Sequence, residues 1–294
     1  MYVKEFTEYL QKERGMAANT QEAYRRDIDE FLRFAAARGT SDALEICAAD
    51  IAAFLMQQRD DGRSASTIHR KLASIRSFFT YLERSGRRRD NPARDIKPPR
   101  VRRKELEYLS VAEVERVLAA PDDSTLGVRD RALLELLYAT GIRVNEVTAA
   151  NVEDVNLRIG FFTCPGSSGK ARIIPMGRPA RAALEQYIYE ARPELVPEDE
   201  EEEKALFVNY YGRRITRQGL WKILREYGEK AGLEKQLTPH LLRISFAVHM
   251  AQNGADLKSL QELLGNEDMT AMQVYLSVTK NRIKDVYDKA HPRA

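Results

Sequence analysis

Arg143 and Arg243 are two arginines that this sequence sets at sharp structural points, and an arginine so placed can grip a phosphate. Its planar guanidinium bonds two oxygens at once and never loses its charge. Arg143 follows a helix stop at Gly141, within Ala139-Thr140-Gly141-Ile142-Arg143-Val144-Asn145-Glu146. Arg243 comes three residues after His240, in Pro239-His240-Leu241-Leu242-Arg243. On a helix that spacing puts imidazole and guanidinium on one face. Phosphoryl transfer without a metal needs a nucleophile, cations on the phosphate oxygens and a donor that protonates the leaving oxygen. Taken singly these arginines are weak signals, since most arginines face solvent and H-x-x-R recurs by chance. Glu146, one turn past Arg143, is open to two readings: it orients that arginine, or it forms a plain helix-surface pair. There are 13 tyrosines, so composition singles out none as nucleophile.

The elements that must hold these groups are mostly helices. Residues 1 to about 90 read as helical. Asn19-Thr20-Gln21-Glu22 forms a capping box, followed by Tyr24, Ile28, Phe31, Leu32 and Ala35 on one face. A second helix begins at Asp50. A third opens at Ser64 or Ser66 and buries Ile68, Leu72, Ile75, Phe79 and Leu82. Its other face carries Ser66, His69, Arg70, Ser74, Arg76 and Ser77, a mixture suited to phosphates and base edges, with His69 read as a surface histidine. From Arg87 to Lys104 the helical pattern breaks at Pro92, Pro98 and Pro99. We therefore expect a helical domain over 1–90, a basic linker over 91–107 and a second domain over 108–294.

The second domain opens with the capping box Ser110-Val111-Ala112-Glu113. A helix over about 126–140 stops at Gly141. Two short strands, near 160–164 and 171–176, are joined by the Gly-rich loop Pro165-Gly166-Ser167-Ser168-Gly169-Lys170. Helices follow at about 179–191, 216–230, 239–252, 256–264, 269–278 and 280–289. The fold class is mainly α, with a small antiparallel β-sheet in the C-terminal domain.

Composition is that of a soluble globular chain, 43% apolar and 31% charged, long enough for two cores. No run of about 18 apolar residues and no signal-peptide core is present, so a cytoplasmic protein without membrane contact is expected. Cys47 and Cys164 lie far apart and read as two isolated thiols rather than a disulfide or metal pair. The net charge of +3 hides an asymmetry: Arg59 to Lys104 holds 15 Lys/Arg against 5 Asp/Glu. Positive potential concentrated there suits a polyanion, with Ser66, Arg70, Lys71, Arg76, Arg87, Arg88 and Arg89 as candidate DNA contacts. The acidic run Glu198 to Glu203 reads as a solvated loop.

Over nearly its whole length the chain resembles the tyrosine recombinase (phage-integrase) family, close to its Xer branch. "ATGIRVNEV" is similar to the family's first arginine box, "PHLLR" with "FAVHMAQNGADLKSLQELLG" to its second, and "MQVYLSV" to its tyrosine box. The ending "HPRA" and the N-terminal helices, similar to a core-binding domain, agree. The resemblance implies that Arg143 and Arg243 hold the scissile phosphate and that His240 is a hydrogen-bonding acid/base. It implies that Tyr275 forms a 3′-phosphotyrosine link and frees a 5′-hydroxyl, with no metal or nucleotide cofactor required. It further implies double-stranded DNA as substrate and a tetramer of this or a related recombinase on two sites. Chromosome-dimer resolution, in chromosome segregation and cell division, or element integration would be the role, with a DNA translocase as a candidate partner.

Two positions depart from the family pattern. The usual hairpin G-K-G-x-K-x-R is here Gly166-Ser167-Ser168-Gly169-Lys170-Ala171-Arg172, so a neutral serine stands at the first lysine and Lys170 matches the second. The usual Leu-Gly-His (or Trp) is Leu264-Gly265-Asn266, where Asn266 can donate a hydrogen bond but brings no charge. Ile244 also replaces a histidine outside the catalytic set. An active recombinase therefore stands beside a second expectation: a DNA-binding relative with weak or lost cleavage, acting as an architectural or regulatory factor.

Overall fold

The computed structural model describes residues 2–98, 106–164, 171–197 and 203–265. The chain divides into two compact units, Met1–Lys104 and Glu105–Ala294. Among the described residues, no helix is long and apolar enough to cross a membrane.

The first unit holds α1 (Tyr2–Lys12), α2 (Ala18–Ala37), α3 (Ala48–Asp60) and α4 (Ala65–Arg84). Its core is aromatic. Phe6 meets Phe78 edge-on at 5.4 Å, Phe31 meets Phe54 at 5.2 Å, and the stripe expected on α4 is buried from Ile68 to Leu82. Ser64 caps α4, accepting from the Thr67 amide at 3.2 Å. Helix α2 corrects the sequence expectation: it starts at Ala18 with Ala17 as cap, and Asn19 lies in its first turn. The Gln21 amide reaches back to the Met16 carbonyl at 2.6 Å and ties the entry there instead. Ser74, expected on the polar face of α4, is fully buried and donates to Asp27 at 2.8 Å. Residues 91–98, read from sequence as linker, lie within this unit, and Ala93 joins its core.

The second unit is mainly helical around α6 (Thr125–Thr140), whose Ala132, Leu133, Leu134, Leu136 and Leu137 are all buried. Helix α5 (Val111–Ala119) begins on the expected box, with Glu113 accepting from the Ser110 amide at 2.7 Å. After α6 come α7 (Val144–Ala149) and an antiparallel sheet of order β1 (Val155–Asn156), β2 (Phe161–Cys164), β3 (Arg172–Pro175). Phe162 pairs with Ile174 and Cys164 with Arg172, so the expected hairpin is present. Helices α8 (Arg178–Gln186) and α9 (Arg192–Leu195), joined by a π-helical turn at Tyr187–Ala191, lead to α10 (Arg217–Lys230), α11 (Pro239–Gln252) and α12 (Leu257–Leu264). Short α7 and β1 escaped the sequence reading, being too brief for a periodic pattern.

Gly141 ends α6 with φ of +58°, and a methyl on its Cα would fall 2.5 Å from the Phe246 ring and 3.1 Å from Leu264. Gly141→Ala should therefore cost about 1–3 kcal/mol, from left-handed strain and displacement of Phe246. Scanning calorimetry should show a midpoint lowered by several degrees; an unchanged midpoint would contradict this account of the turn.

Candidate active site

The left-handed turn at Gly141 sends the chain sharply into Arg143, which serves as the N-cap of α7. Glu146 closes that cap. Its Oε2 accepts from the Arg143 amide at 2.6 Å, and its Oε1 accepts from Arg143 Nη1 at 3.2 Å. Arg172, first residue of β3, meets the same carboxylate with both terminal nitrogens at 2.8 Å. The two readings left open for Glu146 are thereby resolved: it is 4% exposed and bridges two arginines.

The other face of the site is the end of α12. Three successive carbonyls there each accept from a different arginine: Leu263 from Arg172 Nε at 2.8 Å, Leu264 from Arg243 Nη2 at 2.7 Å, and Gly265 from Arg143 Nη2 at 3.0 Å. A helix leaves its last carbonyls without intrahelical partners and carries partial negative charge at that end, so cations gather naturally. Gly265, at φ of +59°, permits the approach, because a methyl there would lie 2.9 Å from Arg172 Nη1. Arg243 also donates to the Gly141 carbonyl at 2.5 Å and is buried. The structure thus brings Arg143 and Arg243 together through Gly141 and the end of α12.

His240 sits in the first turn of α11, three residues before Arg243, with its ring at the surface. Desolvation, and then the positive Arg243 nearby, push its pKa below the ordinary value, which favours the neutral ring that can both accept and donate. Glu146 behaves oppositely. Burial works against its charge, yet the Arg172 bonds, the Arg143 amide and the two positive charges outweigh burial and hold its carboxyl at about 2. Behind it, burial and then the Glu146 charge push the Cys164 thiol up to about 12, so that group stays neutral. Arg172 was missed as a site residue in the sequence, where it appeared only as the last letter of the hairpin pattern. Lys170, Ser167, Asn266 and Tyr275 lie outside the described residues.

In the basic first unit, three of the candidate DNA contacts already have partners within the unit. Lys71 is 4% exposed, pairs with Glu30 at 2.5 Å and lies over the Phe54 ring. Arg76 donates to the Ala93 and Ile96 carbonyls. Arg88 donates to the Leu44 and Ile46 carbonyls and covers Phe79. All three are engaged inside the unit, because unpaired carbonyls and a carboxylate there need donors. Ser66, Arg70, Arg87 and Arg89 are at the surface, with Arg70 paired to Asp27 and Arg87 to Glu5. Arg26 and Arg63, not singled out in the sequence, line one depression with Thr67, Arg70 and Lys71, beside the carboxylates of Asp27 and Glu30.

The chain is similar to known proteins over nearly its whole length. Residues 107–282 match the phage integrase family and residues 3–86 match the phage integrase N-terminal SAM-like domain. Tyrosine recombinase XerD of Oceanobacillus iheyensis is 45% identical over 293 residues, covering 99% of this chain and 98% of that protein. Tyrosine recombinase XerD of Listeria monocytogenes is 43% identical over 294 residues, 99% of each chain. The crystal structure of XerA recombinase is similar over 100% of this chain and 99% of that one, with TM-score 0.56 and 26% identity. XerH bound to its palindromic difH substrate, a post-cleavage complex, gives TM-score 0.72 at 23% identity, over 91% of this chain and 78% of that one.

The Glu146 carboxylate makes a pH prediction. Its folded pKa of about 2 lies below the usual 4.5, so its charge contributes stability that is fully present above 4.5 and is lost as pH falls toward 2. Urea unfolding should find the parent more stable than Glu146→Gln at neutral pH, with the gap shrinking by on the order of 3 kcal/mol between about pH 5 and pH 2. A gap that does not change with pH would contradict the bridge.

Proposed function

Because the chain belongs to the phage integrase family, the tyrosine recombinases, we propose that it holds a DNA phosphodiester on Arg143 and Arg243 and attacks it with Tyr275. The protein is a site-specific recombinase that cuts and rejoins DNA. The observation that carries the site assignment is the convergence of Arg143 and Arg243 on Gly141 and the end of α12, with His240 one turn before Arg243. Fixed cations at developing negative charge are the largest single contribution a protein makes to such a reaction.

In the cleavage step the Tyr275 oxygen bonds to phosphorus and the bond from phosphorus to the 5′-oxygen breaks. His240 hydrogen-bonds the phosphate and, in the neutral form that its lowered pKa favours, takes the tyrosyl proton. The departing 5′-oxygen takes a proton from an acid, for which Lys170 is our candidate, since Ser167 is neutral at the position of the usual lysine. Asn266 contributes a hydrogen bond to a phosphate oxygen. The resulting 3′-phosphotyrosine ester conserves the bond energy, and attack by a 5′-hydroxyl of the second strand reverses the step. Ser167 and Asn266 favour a second reading at the level of rate: a recombinase that binds its site firmly and cleaves slowly.

Duplex DNA is the ligand in this reading, with Ser66, Arg70, Arg87 and Arg89 as its contacts in the first unit. Four copies, identical or paired with a related recombinase, would assemble on two sites, as the exchange of two strand pairs requires. Chromosome-dimer resolution in the cytoplasm fits the XerD relatives, with element integration or excision as the alternative and a DNA translocase as a further partner.

A nicked suicide duplex should trap a covalent protein–DNA adduct with the parent and none with Tyr275→Phe, which keeps the ring and removes the attacking oxygen. Duplex binding should survive that change; an adduct formed by Tyr275→Phe would sink the assignment. Neutralising Arg70, Arg87 and Arg89 should weaken binding and flatten its log–log salt dependence by about 0.9 per lost phosphate contact. Unchanged affinity and slope would make that surface merely solvated.

A further inference from the structure

Glu146 carries one charge and faces two arginines, and it does not divide itself evenly. Arg172 meets it side-on through two parallel bonds of 2.8 Å, and its remaining nitrogen, Nε, is bonded to the Leu263 carbonyl. Arg143 reaches the carboxylate with one longer side-chain bond of 3.2 Å and sends its other terminal nitrogen to the Gly265 carbonyl. Exposure follows the same order: the side chains of Arg172, Glu146 and Arg143 are 15%, 4% and 39% exposed. Two parallel N–H···O bonds to one carboxylate are the strong geometry, whereas a single 3.2 Å contact is modest. The inner arginine therefore takes most of the carboxylate's charge, and the outer one keeps most of its own. The three groups together carry one net positive charge, delivered at the exposed end. Without Arg172, an Arg143–Glu146 pair would be neutral.

We infer that Arg172 is a positioning residue for the phosphate clamp: by saturating Glu146, it lets that carboxylate orient Arg143 without neutralising it. The inference rests on the recombinase reading above and deepens it. Three parts then have separate tasks. Glu146 fixes the direction of Arg143 through the backbone amide and Nη1, Arg172 absorbs the carboxylate's charge, and Arg143 meets the phosphate. A buried carboxylate with one arginine would quench the cation it aims; the second arginine removes that conflict.

The test is single-turnover cleavage of a nicked suicide duplex by four proteins: the parent, Arg172→Gln, Glu146→Gln and the double variant. Arg172→Gln should slow adduct formation about 10- to 100-fold, because Glu146 then turns its full charge on Arg143. Adding Glu146→Gln to that variant should recover about threefold or more, since the quenching charge has gone. In the parent background the same Glu146→Gln should slow cleavage, because orientation is lost. A merely structural role for Arg172 predicts no such reversal of sign. A double variant as slow as Arg172→Gln, or slower, overturns the inference, and so does an Arg172→Gln that cleaves at the parental rate. If thermal unfolding shows that Arg172→Gln does not fold, Arg172→Lys carries the comparison, with a smaller loss and the same recovery by Glu146→Gln. A parent that forms no adduct overturns the recombinase reading, and the inference with it, before any Arg172 comparison arises.

Discussion

The ionised carboxylate of Glu146, buried between Arg143 and Arg172, ties α7 to β3, and the same two arginines tie both elements to the end of α12. A buried charge is tolerated only when it is well paired, and here four N–H donors meet it. Removing Arg172 would strip two of those donors from a buried charge, so the carboxylate fixes α7 against β3 while its two arginines carry the link to the end of α12. The hairpin, the turn after α6 and the last helical carbonyls become one rigid frame. The arginine pair inherits its precision from that frame, as a preorganised electrostatic site must.

The end of α12 plays the complementary part. Its carbonyls accept from guanidinium groups instead of water, and Gly265 lets Arg172 come close where a side chain would block it. Arg243 spans the gap between Gly141 and Leu264, joining two left-handed glycine turns. The partial negative charge of a helix end thus holds three cations in place side by side. Cation repulsion is managed by backbone dipoles and one carboxylate, so the site stays positive without coming apart.

Much of this was legible in the sequence because it rests on local rules. Gly141 reads as a helix stop, Ser110 to Glu113 as a capping box and His240-x-x-Arg243 as one helix face, since each needs only a few neighbouring residues. The hairpin was legible for the same reason. What escaped depended on distant partners. Arg172 bonds a carboxylate 26 positions away and a carbonyl 91 positions away, and nothing in a short motif announces either. That Lys71, Arg76 and Arg88 bond groups within their own unit was not legible, because a local charge excess cannot tell a solvated cation from one with a partner elsewhere in the fold. Asn19 failed as a cap because the helix starts two residues earlier, where the Ala17 carbonyl already takes the Thr20 and Gln21 amides.

The central claim, that one buried carboxylate organises the site, is measured most directly by the coupling between Glu146 and Arg172 in equilibrium unfolding. Urea titrations of the parent, Glu146→Gln, Arg172→Gln and the double variant close a thermodynamic cycle that isolates their interaction. The bridge described here predicts a favourable coupling of about 1–3 kcal/mol at neutral pH, with each single variant costing nearly as much as both together. A coupling of zero, with the two losses simply adding, would contradict it.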